Sequence, residues 1–379
     1  MSTTFPHTRR SGNVLVMTLL LMVSFFGLLA FSIDLGYIYI VSTEIQRSAD
    51  AAALSAAWEL LDGQSTPNST PQASVSESQT AAGLYTRLNA VGGAAPALGT
   101  SDVQIGQLDN IRDPSSPWSY SDPRRFNAVR VRVRRTADQN EEVPFFFARV
   151  LGFQSVPMQG GATAVFLNNF HGFQAPTDNK NLDLLPFALD KETWDALMQG
   201  VGTDNWSWDA EHQQVVAGAD GVLEVNLYPQ GTGSPGNRGT VDIGSSNNST
   251  ADIARQITDG ISPADLAHHG GKLEFNEAGE LPLNGDTGLS AGVKDELESI
   301  KGNRRIIPIF NSVCGPGNNA TYTIVQFAGV RIMEVKLTGK NSSKRVIIQP
   351  ASVIARGGIP AVNVGTTSHY VYSPVWLVR

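Results

Sequence analysis

The stretch VLVMTLLLMVSFFGLLAFSI, Val14 to Ile33, decides the fold: it carries no charged side chain over twenty residues. At the α-helical rise such a run covers about 30 Å, the thickness of a bilayer's hydrocarbon core. Arg9 and Arg10 lie just before it, whereas Asp34, Glu44 and Asp50 follow it. That asymmetry predicts a single-pass anchor with a cytoplasmic N-terminus and the bulk of the chain outside. A cleaved secretory signal is the first competing reading, because Ala30-Phe31-Ser32 loosely fits a small-x-small cleavage site. Against it, the apolar pattern continues through Leu35, Tyr37, Ile38, Tyr39, Ile40 and Val41, where a signal peptide turns polar. A buried core helix of a soluble protein is opposed by the uninterrupted length.

Beyond Ile40 the periodicity becomes amphipathic. Ile38, Val41, Ile45, Ala49, Ala52, Ala56 and Leu60 recur at spacings of three and four, so they share one helix face. Alanine dominates that face, and small side chains let another helix approach closely. The segment therefore reads as a packing surface, with possible self-association through it. Asp62-Gly63 and the polar stretch from Gln64 to Pro71 end it. One long helix is expected, half in the membrane and half protruding as a stalk.

These residues resemble a known family. Arg9-Arg10-Ser11-Gly12-Asn13-Val14, then Ile33-Asp34-Leu35-Gly36-Tyr37, then the run Gln46 to Ala57 are similar to the N-terminal module of TadG-like Flp (tight-adherence) pilus-assembly proteins. The ordered combination carries the likeness: Gly12 and Asn13 at the entry, Asp34, Gly36 and Tyr37 at the exit, and Gln46, Ala49, Asp50, Ala52, Ala53, Leu54, Ala56 and Ala57 beyond. A second patch, Phe126 to Val131 followed by Val143 to Phe153, is similar to the segment after the anchor in such proteins.

The resemblance implies assembly or anchoring of a pilus through contacts with pilus-assembly or pseudopilin proteins, without catalysis and without a cofactor. Related pseudopilins carry a peptidase site with glutamate five residues after the glycine. Here Met17 stands at that offset from Gly12, so the helix is expected to stay uncut. Some relatives carry a von Willebrand-type metal motif. Asp242-Ile243-Gly244-Ser245-Ser246 lacks its first serine hydroxyl, so a metal would lose an oxygen ligand.

The rest of the chain reads as α+β. With 41% hydrophobic residues a core can be buried, and 37 glycines and 20 prolines favour turns and strands over a helical bundle. A net charge of -7 argues against a nucleic-acid binder. A short helix is expected from about Ser76 to Val91, stopped by Gly92-Gly93. Val129, Val131 and Val133 alternate with Arg130, Arg132 and Arg134, a strand with valines inward and arginines on a solvated face or edge. The run Phe145 to Phe147 is expected in the core; exposed, it would mark a docking surface. Further helices are expected after the capping residues Asp190 and Ser262, from Ala251 to Ile257, and from Ala291 to Lys301. Strands are expected at Arg305 to Phe310, Tyr322 to Phe327, Val330 to Leu337, Val346 to Gln349 and Tyr370 to Val378. The segment from Pro229 to Thr250 is expected to hold long loops. The expected domains are 1–62 (tip, anchor and stalk), 63–170 (membrane-proximal) and 171–379 (exported).

Little in that exported part suggests chemistry. Cys314 is the lone cysteine and sits in a turn sequence, Cys314-Gly315-Pro316-Gly317, with no neighbouring histidine. His268 and His269 are adjacent on a helix, where side chains diverge by about 100 degrees, which makes them poor joint ligands. Asn179, Asn181, Asp183 and Asp190 mimic calcium-loop spacing, but Leu184 occupies the glycine position. Gly231-Thr232-Gly233 and Gly236 to Gly239 lack the lysine and serine or threonine of a phosphate cradle. Trp194, Trp206 and Trp208 suit packing, or less readily a carbohydrate face. Two functions follow: a membrane-anchored pilus-assembly protein of the inner membrane, or a tethered exported binding module for a glycan or surface partner. An envelope hydrolase ranks last for want of a catalytic constellation.

Overall fold

A computed structural model describes residues 13–66, 69–111, 113, 115–228, 238–244, 249–286, 290–315, 319–340, 343–361 and 367–378. The chain is mixed α+β, with a long N-terminal helix followed by a β-rich region that carries a few short helices. It forms two compact units that interleave along the sequence: 1–55, 80–104 and 130–163 in one, 56–79, 105–129 and 164–379 in the other.

Helix α1, Asn13–Ser65, runs for 53 residues. Proline is absent from this stretch, so no backbone donor is missing from the i→i−4 ladder. Thr18, Ser24, Ser32 and Thr43 return their hydroxyls to the carbonyls four residues earlier, at 2.8 to 3.0 Å. Each polar group in the apolar run is thereby satisfied by its own helix. Helix α2, Pro71–Leu88, starts five residues ahead of the expected position. Proline suits the first helical position, and the Thr70 hydroxyl accepts the Ala73 amide at 3.3 Å. Gly92 and Gly93, both at positive φ, follow it.

In the first unit, the buried valines of strand Ala128–Arg135 behave as their spacing predicts: Val131 and Val133 are fully buried and Arg132 is exposed. Arg134 meets Asp102 at 2.8 Å. Arg135 is buried and donates to the carbonyls of Val91 (2.6 Å) and Glu141 (2.9 Å), which ties three segments together.

The second unit is organised by strand Ala320–Lys336. It pairs antiparallel with Arg304–Cys314, Leu281–Asp286 and Arg345–Pro350. Strands Arg238–Val241 and Phe187–Asp190 continue from Leu281–Asp286, and Phe187–Asp190 pairs in parallel with Arg304–Cys314. The hydrogen bonding thus returns to its start, and five strands close into a ring. Period-two alternation gives the sheet two apolar faces. Ile306, Phe310, Tyr322 and Ile324 lie in one cluster, and Ile307, Ile309, Val330 and Ile332 in the other. Three helices cover the second face: α3 (Lys191–Met198), α4 (Thr250–Asp259) and α6 (Lys294–Ser299), through Trp194, Leu197, Ile253, Ile257 and Leu297. Between α4 and α6 runs α5, Pro263–Ala267.

The capping residues act as expected. Asp190 accepts the Thr193 amide at 2.8 Å, and Ser262 and Asp265 form a reciprocal capping box. Two strand expectations are corrected. Tyr322 to Phe327 and Val330 to Leu337 are one strand, because Gly329 continues it: a Cβ there would lie 2.2 Å from the Tyr370 carbonyl and 2.5 Å from that of Ala351. The expected strand Tyr370 to Val378 is two short pieces, Val371–Tyr372 and Trp376–Val378, separated at Pro374, and Tyr370 itself lies in the left-handed region (φ 56°).

Candidate functional site

Asp34 stands at the point where the apolar half of α1 meets the folded half of the first unit. Its carboxylate is buried and accepts three consecutive amides. Phe146 N–H donates to Oδ1 at 2.7 Å, Phe147 N–H to Oδ2 at 3.1 Å, and Ala148 N–H to Oδ2 at 2.7 Å. These amides open the short 3₁₀ turn Ala148–Leu151, whose orphan donors need an acceptor. An anion supplies it, and the charge makes each bond stronger than a neutral one. Tyr37, one turn further along α1, packs edge-on against Phe146 at 4.8 Å. The loop 145–153 is therefore fixed to the helix by one carboxylate and one ring.

This corrects the expectation that Phe145 to Phe147 belong to the core. Phe145 is half-buried, and Phe146 (58%) and Phe147 (44%) are exposed. Their amides are held; of the rings, that of Phe146 leans on Tyr37 while remaining largely exposed.

The other motif residues divide by helix face. Ala49, Ala52 and Ala53 are fully buried in the first unit, and Ala56 and Ala57 in the second. The face is closed by the chain itself. Ser48 Oγ lies 3.4 Å from the Thr86 carbonyl of α2, and Ser78 Oγ donates to the Ala56 carbonyl at 2.7 Å. Gln46 Nε2 donates to Asp50 Oδ1 at 2.7 Å and to the Gly161 carbonyl at 3.2 Å. Gly160 sits where a Cβ would come within 2.5 Å of Ile45 Cγ2, so the strand Met158–Val165 approaches α1 as closely as its backbone allows. Leu54 and Asp50 are half-buried, and Gly36 faces open space. Asn13 begins the helix, and Gly12 lies outside the described residues. Glu44, which the motif does not include, accepts the Gly92 amide at 2.7 Å and fixes the turn after α2.

The candidate ligands of the second unit are occupied elsewhere. Asn181 donates to the Asp259 carbonyl at 2.9 Å, Asp183 faces Arg305 at 3.5 Å, and Asp190 caps α3. Gly244 packs against Asp265, which is paired with Arg255 at 2.6 Å; Ser245 and Ser246 lie outside the described residues, as do Gly231 to Asn237. Among the described residues no cluster of three or more His, Cys, Asp or Glu side chains is placed to hold a metal. Trp206 and Trp208 lie under cations, Lys301 at 5.3 Å and Arg331 at 4.0 Å from the ring centres, while Trp194 is buried. Cys314 is exposed. A polar cleft of about 1140 Å³ opens in this unit, bordered by Asp109, Arg124, Arg125, Asn169 and His369. Trp194 Nε1–H donates to His369 Nδ1 at 2.9 Å, and burial lowers the affinity of that imidazole for a proton.

Helix, capped loop and closed alanine face coincide with two family matches. Residues 12–59 match the family described as putative Flp pilus-assembly TadE/G-like, and residues 55–164 match putative Tad-like Flp pilus-assembly. Residues 12–164 are similar throughout to TadE/G-like and Tad-like Flp pilus-assembly proteins. The Tad module thus contains α1, α2, Asp34 and the loop that Asp34 holds. It also contains one helix long and apolar enough to cross a membrane. The two matches support involvement in Flp pilus assembly. No curated protein and no solved structure matches the chain.

Proposed function

We propose that this chain is a single-pass protein of the bacterial inner membrane, with residues 14–33 spanning it, the N-terminus cytoplasmic and the folded units outside. It serves Flp pilus assembly through protein–protein contacts, with pilus-assembly or pseudopilin proteins as partners. It has no catalytic role. The observation that carries this reading is the continuity of α1. The apolar run and the family motif from Gln46 to Ala57 are one unbroken helix, which supports an anchor built into the Tad module over a leader attached to it.

Helix packing uses up the alanine face within the chain, so partners must meet other surfaces. Trp58 and Tyr85 are exposed large side chains on α1 and α2. Photocrosslinking groups at these two positions in the piliated host should give adducts with pilus-assembly or pseudopilin proteins. A reporter fused after Arg379 should be active only outside the cytoplasm. Adducts confined to unrelated envelope proteins, together with normal piliation in a deletion strain, would refute the assembly role. The cleft beside His369 favours one second reading, a tethered module that binds a polar ligand such as a glycan. Under that reading a foreign membrane anchor in place of residues 14–33 leaves function intact.

A further inference from the structure

The loop fixed by Asp34 carries side chains that a folded domain in water has no reason to expose. Val150 is 89% and Leu151 78% exposed, and Phe146, Phe147 and Phe153 accompany them within nine residues. Scattered exposed apolar residues are ordinary, but a contiguous patch marks a surface that is covered in use. Its only charged residue is Arg149.

We infer that residues 145–153 form a second membrane contact, lying in the outer-leaflet interface beside the anchor helix. The inference rests on the reading of residues 14–33 as the span. Three observations favour lipid over a protein partner. The first is height. The loop amides bind the carboxylate of Asp34, the residue directly after the apolar run, so the loop is held where a helix with residues 14–33 in the hydrocarbon core leaves it. Leu35, Tyr39 and Ile40 are also exposed on α1 within two turns of Asp34, and interfacial aromatic side chains gather near that depth. The second is backbone satisfaction. Phe145 N–H donates to the Gln154 carbonyl, Phe146 to Ala148 donate to Asp34, and Val150, Gly152 and Phe153 donate to carbonyls within the loop at 3.0 to 3.1 Å. Paired amides are a condition of entering an apolar phase. The third is charge. Arg149 is exposed and cationic, and anionic headgroups attract such a side chain. Asp34 then works as a staple that sets how deep the loop sits.

The test uses the full-length protein reconstituted in vesicles of phosphatidylethanolamine and phosphatidylglycerol. In a Cys314→Ser background, single cysteines at Leu21, Val150 and Glu211 receive an environment-sensitive fluorophore. Nitroxide quenchers are placed shallow or deep on the acyl chains. Leu21 reports the span, Glu211 is the exposed aqueous reference, and Val150 reports the loop. The expected result is a loss of Val150 fluorescence that is larger with the shallow quencher than with the deep one, with the order reversed at Leu21 and no loss at Glu211. Quenching at Leu21 with a Val150 label that behaves like Glu211 overturns the loop contact alone and passes the patch to a protein partner. An unquenched Leu21 label overturns the anchor reading and this inference together. Val150 is exposed, so its replacement leaves the fold's packing unchanged.

Discussion

Gly63→Ala tests whether α1 and α2 meet as closely as described. Both Gly63 and Ser74 are buried in the second unit, and a methyl at Gly63 would lie 2.4 Å from Ser74 Oγ, 2.6 Å from its Cβ and 3.0 Å from its Cα. All three fall well inside the roughly 3.5–4.0 Å of a comfortable carbon contact. Intrinsic propensity pulls the other way, since alanine is favoured over glycine in a helix by up to about 1 kcal/mol. Overpacking of a tight contact costs about 1–3 kcal/mol, so the clash wins and the net loss is about 1 kcal/mol, with a ceiling near 2. Ser74→Gly removes Oγ and Cβ and leaves only the contact to Cα. In that background Gly63→Ala should be neutral or mildly stabilising, which gives a coupling of about 1–2 kcal/mol between the two sites. Urea unfolding of the full-length protein in detergent micelles, followed by tryptophan fluorescence, measures all four corners of the cycle. Trp58 lies on α1 five residues before Gly63. A gain of about 1 kcal/mol from Gly63→Ala with Ser74 present, and an additive cycle, would refute the close approach.

Three further outcomes are expected. Asp34→Asn replaces a charged acceptor of three amides with a neutral one, so the amides of Phe146, Phe147 and Ala148 should exchange hydrogen faster while those of strand Ala320–Lys336 do not change; unchanged protection at 146–148 rules out the staple. His369 is held neutral by burial and by the N–H of Trp194, so the unfolded chain binds its proton more readily. Stability should fall as pH drops through about 6.5, with a slope of at most about 1.4 kcal/mol per pH unit, and His369→Gln should flatten that segment of the pH–stability curve. For Asp265, burial favours the neutral acid, but Arg255 and Ser262 outweigh it and hold the carboxyl below its usual range. Its contribution is complete above about pH 4 and fades as pH falls toward the depressed folded value, and Asp265→Asn should cost about 1–3 kcal/mol at neutral pH by thermal or chemical melting.

Local signals carried a good part of this fold. An uncharged run and a three-four alanine pattern are properties of one helix, so α1 was legible to within three residues of its C-terminal end. The caps at Asp190 and Ser262 were legible for the same reason, since donor and acceptor lie three residues apart. The ring of strands was not. It is closed by the pairing of Phe187–Asp190 with Arg304–Cys314, far apart in sequence, and its central strand runs through Gly329, where from sequence a glycine reads as a break whether it ends a strand or admits a neighbour. The candidate site shows the same limit. Asp34 was visible as a motif residue, and the aromatic run as an apolar one, but the bond between them spans 112 residues. Without it, three phenylalanines in a row read as core.

The unbroken course of α1 has a consequence for phase. A protein hung from a flexible tether turns freely and takes any azimuth about its anchor. Here no slack separates residue 33 from Val41, the first fully buried side chain beyond the apolar run, so that run and the fold around Val41 share one helix axis. Each residue inserted between them lifts the fold by about 1.5 Å and swings it by about 100 degrees. One added residue would unseat the loop from Asp34 or carry it round to a different sector of the helix. The register between the apolar run and the fold is thus written in the count of residues from 34 to 40, a stretch whose Asp34 and Tyr37 also hold the loop.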